Sequence, residues 1–292
     1  MKCYDCPRMC GVDRENTFGY CGMPKDAVVA RAALHFWEEP CISGKNGSGT
    51  IFFSGCSLRC IFCQNHEISQ KHFGKKVSVA EVADMMKMLE DQGAHNINLV
   101  TATHYAHLLP EAIEKAKLHI PVVYNCGGYE KLEVIQSLEG LIDIYLPDLK
   151  YFSPELSGKF SGAADYFETA SAAILEMIRQ TGKAEYDSDG MMQKGVIIRH
   201  LVLPGHREDS MHILDWIKEN VPEDVRISLM RQYTPRKEKL PYSELNRRLT
   251  SFEYDKVAEY AEIIGIKQIY FQEKGSAESS FTPDFDLTGV EK

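Results

Sequence analysis

From about residue 50 onward, short apolar segments alternate with amphipathic ones, and this alternation limits the folds open to the chain. Strands are predicted at residues 50–54, 97–100, 121–125, 141–147, 196–203, 226–230 and 267–271. Helices are predicted from an N-cap at residue 78 to residue 93, and at 107–118, 131–138, 152–180 with a break at 158–162, 209–219 and 252–264. Repeated βα units predict an α/β fold, and six or seven parallel strands favour a partial or full (β/α) barrel over a flat sheet. The active site is then expected at the C-terminal ends of the strands.

Composition and cysteine placement divide the chain into three parts. Residues 1–34 are predicted to form a small N-terminal four-cysteine module, and residues 35–273 the barrel. Residues 274–292 are rich in Ser, Thr, Asp and Gly, which is typical of a loose tail.

The net charge and the lengths of the apolar stretches indicate which partners and which compartment to expect. The net charge is −9 without a basic block, which argues against nucleic acid or an anionic membrane as the main partner. No apolar stretch reaches transmembrane length, and the N-terminus lacks the apolar core of a signal peptide. We therefore expect a cytoplasmic protein.

Seven of the nine cysteines fall in two tight groups, which favours metal binding over disulfides in a chain without a secretion signal. The first group is Cys3, Cys6, Cys10 and Cys21, and the second is Cys56, Cys60 and Cys63. The other two, Cys41 and Cys126, stand alone and are expected to be buried structural thiols.

The second group follows a predicted strand, in the segment GCSLRCIFCQN at residues 55–65. Three thiolates within eight residues suit a cubane [4Fe–4S] cluster in which each binds a different iron. Because a fourth cysteine is missing, one iron keeps an open position where a ligand can receive electrons directly from the cluster. The alternative is a zinc site completed by a residue such as His66, although structural zinc sites seldom space three ligands this way.

The C-x3-C-x2-C pattern, with Phe62 before the last cysteine, resembles the signature of the radical S-adenosylmethionine (SAM) superfamily. The resemblance implies that the amino and carboxylate groups of SAM bind the open iron, and that Cys56, Cys60 and Cys63 serve catalysis by holding the cluster. Reductive cleavage of SAM would give methionine and a 5′-deoxyadenosyl radical that abstracts a hydrogen atom. An electron donor such as reduced flavodoxin or ferredoxin is implied as a partner.

Longer stretches resemble the branch related to pyruvate formate-lyase activating enzyme. Residues 38–63 carry this likeness, and CPRMCGVDR at residues 6–14 matches an uncharacterised activase-like subgroup. The branch implies a glycyl-radical enzyme as protein substrate. Two other hypotheses remain: a free-standing radical enzyme acting on a small molecule or peptide, and a non-catalytic iron–sulfur or zinc electron-transfer protein. The open-iron triad argues against the last.

Charged residues at the predicted strand ends are expected to contact SAM. By resemblance, Phe62 lies beside the adenine, and Asp148 and Lys150 contact SAM and the substrate end of the site. A simple ion pair on the rim is the alternative for these two. Arg199 interrupts an apolar strand and needs an anion if it is buried, for which the SAM carboxylate is suitable. The alternative for Arg199 is a structural pairing with an acid of the barrel.

Further expected SAM contacts are Asn65, Thr101, Thr103, His104, Asn125 and Gln232, with Tyr233 as an alternative to Gln232. The Thr-Ala-Thr-His segment at 101–104 stands where the branch carries Gly-Gly-Glu, so Thr hydroxyls and backbone carbonyls would replace those contacts. The alternative for His104 is a loop histidine bonded to its neighbours. Asn125 precedes two glycines that permit close backbone approach to a ligand.

The first cysteine group supplies four thiolates within 19 residues. That segment is too short to fold on apolar burial alone, so a bound metal would supply most of its stability. Four thiolates suit either zinc or an auxiliary iron–sulfur cluster. A reduced loop without metal is the remaining alternative.

Overall fold

The computed structural model describes residues 2–272 and 282–291 of the chain. Its strands are β1 (Ala27–His35), β2 (Ser48–Phe53), β3 (Lys75–Val77), β4 (Ile97–Val100), β5 (Val122–Cys126), β6 (Ile144–Pro147), β7 (Glu185–Tyr186), β8 (Met192–Leu201), β9 (Arg226–Met230) and β10 (Ile269–Phe271). Its α-helices are α1 (Pro40–Ser43), α2 (His66–Ser69), α3 (Val79–Asp91), α4 (Leu109–Ala116), α5 (Leu132–Ser137), α6 (Pro154–Ser161), α7 (Tyr166–Thr181), α8 (Arg207–Asn220) and α9 (Ser251–Ile263). No helix in these ranges is long and apolar enough to cross a membrane.

Seven strands, β2, β4, β5, β6, β8, β9 and β10, run parallel and neighbour one another in that order. At the β2 edge, β1 and then β3 continue the sheet in antiparallel directions, and β7 forms a short antiparallel pair with β8. Within the described residues β10 and β3 are the two ends of the sheet, so the barrel is partial. The predicted α/β barrel is confirmed, with seven parallel strands where six or seven are predicted.

The antiparallel strand β1 was not predicted. It pairs along β2 from His35 opposite Ser48 to Val29 opposite Phe53. Its sequence, AVVARAALH, is rich in alanine, a residue depleted in strands, so local propensity does not reveal it. The predicted module boundary at residue 34 therefore falls inside a strand of the main sheet, and the division into domains stays a prediction.

Local signals place the helices. Ser78 and Glu81 form the capping box of α3, in which each side chain accepts a hydrogen bond from the other residue's backbone N–H. Ser153 caps α6, and Gly162 ends it in the left-handed conformation with φ of 60°. The break predicted in the long helical segment is this end of α6.

The inside of the barrel is filled at one end by α1. Its residues Cys41 and Ile42 are buried against Val123, Ile144 and Ile197 from three central strands. This leaves the polar space of the barrel at the opposite end, where the strands end.

Of the loose tail predicted at residues 274–292, residues 274–281 and 292 lie outside the described residues. Residues 282–291, which we call the C-terminal strap, pack against β1 instead. The backbone N–H of Ala32 in β1 donates to Thr288 O at 2.9 Å, and the Val290 side chain is buried in the core. The strap thus extends the sheet beside β1, at the edge where β3 pairs with the first part of that strand.

Candidate active site

A cavity of about 240 Å³ lies inside the barrel at the carboxyl ends of the parallel strands. It is lined by the three triad cysteines and by most of the residues predicted to bind the cofactor: Phe62, Asn65, Thr101, Asn125, Asp148, Lys150, Arg199 and Gln232. Thr103 and His104 do not line it. This is the position expected for the active site of such a barrel, because the loops after the strands converge there.

The triad occupies the loop after β2. The loop begins at Gly55, where φ is 84° and an added side chain would lie 3.0 Å from Cys21 O, so only glycine fits. Each triad sulfur has a hydrogen-bond donor: Leu58 N at 3.4 Å for Cys56, Ser161 Oγ at 2.9 Å for Cys60 and Ser69 Oγ at 3.4 Å for Cys63. The loop therefore presents three sulfurs that are individually oriented by the protein.

A metal cluster fits these thiols. Burial, together with the neighbouring Cys60 and Cys63, raises the pKa of Cys56 to about 12, and burial likewise raises the pKa of Cys63. Such thiols ionise when a metal coordinates them, because the cation supplies the positive charge. Among the described residues no group of three or more His, Cys, Asp or Glu is arranged to hold one metal ion. A cubane cluster does not need that arrangement, because each thiolate binds a different iron.

Polar side chains at the strand ends form one connected network in the cavity. Arg199 donates from Nε to Asp148 Oδ1 at 2.9 Å and from Nη1 to Glu38 Oε2 at 3.0 Å. Its Nη2 donates to Asn125 Oδ1 at 2.6 Å, and Asn125 Nδ2 donates to Glu38 Oε1 at 3.0 Å. Lys150 Nζ donates to Asp148 Oδ2 at 2.5 Å. Two carboxylates thus balance two cations inside the barrel.

Asp148 is held ionised by this network. Burial alone would raise the pKa of its carboxyl, but Arg199 and Lys150 outweigh burial and hold that pKa below its ordinary value. In this structure Arg199 pairs with two acids of the barrel, Asp148 and Glu38, as the structural alternative for this residue predicts. Its contact with the SAM carboxylate stays a prediction.

The segment after β4 turns away from the cavity beyond Thr101, which lines it and has φ of 62°. Thr103 Oγ1 donates to the buried carboxyl of Glu130 at 2.6 Å, and His104 Nε2 donates to Ser54 O at 2.8 Å. Burial lowers the pKa of His104 to about 3, so the ring is neutral. His104 is thus bonded to its neighbours, which is the alternative interpretation of this residue. Either side chain would have to reorient before it could contact a ligand in the cavity.

The aromatic and amide residues expected near SAM line the cavity. The Phe62 ring is buried, with its centroid 6.0 Å from that of Tyr233. The Tyr233 hydroxyl donates to Leu245 O at 2.7 Å and is therefore occupied, whereas the Gln232 backbone O accepts from Gln64 Nε2 at 3.0 Å. Asn65 caps α2 without a side-chain hydrogen bond to that helix. The Gln232 side chain also has partners: its Oε1 accepts from Gln272 Nε2 at 3.2 Å, and its Nε2 donates to Met230 Sδ at 3.7 Å.

Sequence reasoning missed several residues that line the cavity, chiefly Glu38. The sequence does hold a signal for Glu38, since Glu38 and Glu39 are adjacent acids between two aromatic residues and a proline. If these carboxylates are buried, they need charged or polar partners. Trp37 lines the cavity and is 56% exposed, so it stands at the opening. Thr282 and Pro283 of the C-terminal strap also line the cavity, and no local signal indicates that.

The N-terminal module packs against the triad loop. Arg8 donates from Nε to Ser57 O at 2.7 Å and from Nη2 to Ser161 O at 2.9 Å. Arg14 is buried and donates from Nη1 to Cys3 Sγ at 3.7 Å. The nine cysteines are all free thiols, and a metal in this module stays a prediction.

Comparison with known proteins gives the family. Residues 50–217, more than half of the chain, match the model of the Radical SAM superfamily. This span contains the triad and all of the network residues except Glu38. The chain belongs to the radical SAM superfamily. Membership implies a [4Fe–4S] cluster and SAM as cofactors.

Relatives of this radical SAM protein cover most of its length. It is 33% identical over 279 residues to an uncharacterized protein of Methanocaldococcus jannaschii, a match covering 92% of this chain and 77% of the relative. It is 26% identical over 236 residues to pyruvate formate-lyase 1-activating enzyme of Escherichia coli strain K12, covering 76% of this chain and 84% of the enzyme. The structure of methylornithine synthase shares its fold, with a TM-score of 0.50 and 16% identity, over 85% of this chain and 65% of that one.

Proposed function

We propose that this radical SAM protein holds a [4Fe–4S] cluster on Cys56, Cys60 and Cys63 and cleaves SAM reductively there. The observation that carries the proposal is that the triad lines the same cavity as Asp148, Lys150 and most of the other predicted SAM contacts. When bound, the cluster supplies one electron to SAM, which yields methionine and a 5′-deoxyadenosyl radical that takes a hydrogen atom from the substrate.

The residues of the chain bind and orient SAM in this proposal. Phe62 offers an apolar face to the adenine, and Asn65 and Gln232 offer amide groups. The ionised Asp148 and its partner Lys150 present opposite charges to the polar groups of SAM, and Glu38 holds Arg199 and Asn125 in place. Because the network is buried, its groups are oriented before SAM arrives.

An anaerobic assay of SAM cleavage tests the proposal. We expect the wild-type protein to hold about four irons per chain at the triad and to form 5′-deoxyadenosine after addition of dithionite and SAM, measured by chromatography. Cys60→Ala is expected to lose the cluster and reduce 5′-deoxyadenosine to background. Cys41→Ala, which removes a buried cysteine of α1 away from the triad, is the matched control and should keep both. A wild-type protein that binds only zinc and forms no 5′-deoxyadenosine would contradict the proposal.

The finer function that we propose is activation of a glycyl-radical enzyme, with reduced flavodoxin or ferredoxin as electron donor. The 26% identity to an enzyme that activates pyruvate formate-lyase supports it, as does the exposed Trp37 at the opening, where a protein loop would enter. An electron paramagnetic resonance (EPR) signal of a glycyl radical on a partner enzyme, dependent on this protein and SAM, is the expected result.

A free-standing enzyme for a small molecule or peptide is the second candidate. It is favoured by the C-terminal strap, whose Thr282 and Pro283 add a wall to the cavity, and by the Thr-Ala-Thr-His segment in place of Gly-Gly-Glu. If 5′-deoxyadenosine formation is stimulated by small peptides or metabolite fractions and by no glycyl-radical enzyme, this candidate replaces the first.

For the N-terminal module we propose a bound metal, either an auxiliary iron–sulfur cluster, in which each thiolate binds a different iron, or zinc. Zinc would require the four thiols to move together, because no group of the described residues is arranged to hold one metal ion. A side chain added at Gly19 would lie 3.3 Å from Cys10 Sγ and 3.6 Å from Cys21 Sγ, so these two sulfurs flank the same backbone position. Metal analysis distinguishes the outcomes: about one zinc beside four irons indicates zinc, and about eight irons indicate a second cluster. Loss of that metal in Cys10→Ser, with the triad iron retained, would assign it to the module.

A further inference from the structure

The three triad sulfurs do not receive equal hydrogen bonds. Ser161 Oγ lies 2.9 Å from Cys60 Sγ, whereas the donors to Cys56 and Cys63 lie at 3.4 Å. Both Ser161 and Cys60 are buried, so water does not compete for this contact. Cys60 therefore has the strongest protein donor of the three.

The direction of this hydrogen bond follows from the chemistry of its partners. A thiolate only accepts, so the single hydroxyl hydrogen of Ser161 points to Cys60 Sγ. The Tyr151 hydroxyl lies 2.7 Å from Ser161 Oγ and must then be the donor in that pair. Tyr151 is fully buried, so water does not compete with Ser161 for its hydroxyl hydrogen. The result is a chain of two hydroxyls that ends on one cluster ligand.

The rest of the protein holds Ser161 in place. It is the last residue of α6, and its carbonyl accepts a hydrogen bond from Arg8 Nη2 at 2.9 Å. Arg8 Nε also donates to Ser57 O of the triad loop at 2.7 Å. The N-terminal module thereby ties the end of α6 to the loop that carries Cys60.

We propose that Ser161, backed by Tyr151, is a positioning residue that raises the reduction potential of the triad cluster. This inference rests on the proposed function, because it assumes a cluster on the triad. One-electron reduction adds negative charge to the cluster and its thiolates, and a hydrogen-bond donor stabilises the more negative state. A chain of two donors polarises in the same direction and strengthens the effect. The cluster thus accepts an electron more readily than it would without this hydroxyl.

Redox titration of the cluster-loaded protein, followed by EPR of the reduced cluster, tests the proposal. In Ser161→Ala we expect the equilibrium for reduction to become about tenfold less favourable, a shift of about 59 mV to more negative potential for one electron. Tyr151→Phe should shift the potential in the same direction by less, because the direct donor remains. Ser157→Ala is the matched control: this serine is buried in the same helix one turn earlier, and its hydroxyl donates to Pro154 O at 3.2 Å.

The outcomes separate this inference from the proposed function. A Ser161→Ala protein with its full iron content and the potential of Ser157→Ala overturns the inference alone. If Ser161→Ala does not retain the cluster, Tyr151→Phe decides: a negative shift supports the inference, and an unchanged potential overturns it. A wild-type protein that assembles no cluster overturns the proposed function and this inference together.

Discussion

Arg199 shows how one buried charge organises the site at the scale of residues. Its guanidinium uses three nitrogens on Asp148, Glu38 and Asn125, at distances of 2.6–3.0 Å. A guanidinium suits this role because its donors diverge in one plane and it stays charged when buried. Removing one acid would leave an unpaired charge in the barrel, which costs far more than an exposed pair contributes.

Glu130 is a buried carboxyl that lacks a cation partner among the described residues. It accepts hydrogen bonds from Thr103 Oγ1 at 2.6 Å and Tyr124 Oη at 3.0 Å, which partly offset burial, and its pKa is raised to about 7. The neutral form is therefore favoured in the folded protein. The stability that the raised pKa of Glu130 contributes is fully present below the unfolded pKa of 4.5. It is lost as the pH rises through about 7, where the folded carboxyl ionises.

Glu130→Gln is expected to remove this pH dependence, because glutamine keeps the neutral form. Between about pH 5 and pH 8, the wild-type free energy of unfolding should fall relative to that of the variant by about 3 kcal/mol. Urea unfolding across this range measures it, with Glu133→Gln on the exposed face of α5 as control. Parallel pH profiles for wild type and Glu130→Gln would show that Glu130 does not carry the dependence.

At the scale of elements, local capping and long-range packing both place the helices. The α3 cap is formed by Ser78 and Glu81, which are three positions apart in the sequence. The end of α6 depends on Gly162 and also on Arg8 from the N-terminal module. The first kind of boundary is predictable from sequence, whereas the second requires the folded chain.

Ser78→Ala is expected to lower the free energy of unfolding by about 1 kcal/mol, because the Glu81 N–H loses its acceptor at the start of α3. Chemical unfolding measures the change, and iron content should stay that of the wild type. Ser137→Ala, which removes an exposed hydroxyl at the end of α5, should change stability by less than about 0.5 kcal/mol. Equal stability of the two variants would mean that the capping box contributes nothing measurable.

At the scale of the whole molecule, the C-terminal strap joins the sheet edge to the active-site cavity. Val290 anchors the strap in the core, Phe285 packs edge-on against Phe52 with centroids 5.5 Å apart, and Thr282 and Pro283 line the cavity. One end of the strap thus packs on β1, while the other forms part of the cavity wall.

Val290→Ala is expected to lower the free energy of unfolding by about 2 kcal/mol, since two buried methyl groups are lost and a cavity remains. Thermal or chemical unfolding measures this, and Glu291→Ala, an exposed neighbour, serves as control. If the two variants are equally stable, the strap does not depend on Val290 for its attachment to the core.

The sequence by itself determined the parallel strands of the barrel and the cysteine triad proposed to hold the cluster. The apolar segments after residue 50 and the helix caps are local patterns, so the order of β2, β4, β5, β6, β8, β9 and β10 along the chain followed from them. The triad spacing is likewise local, and the period of two along a strand correctly placed Asp148 and Lys150 together on the cavity.

Only the tertiary structure decided which groups surround those residues. Glu38 meets Arg199 across 161 positions of the chain, and Ser161 meets Cys60 across 101 positions. Thr103 and His104 turn to Glu130 and Ser54 instead of the cavity, and the strap returns to β1. Such contacts are set by the packing of distant elements around one core. No local pattern encodes them, because a residue's neighbours in the sequence do not determine which strand or helix it will face.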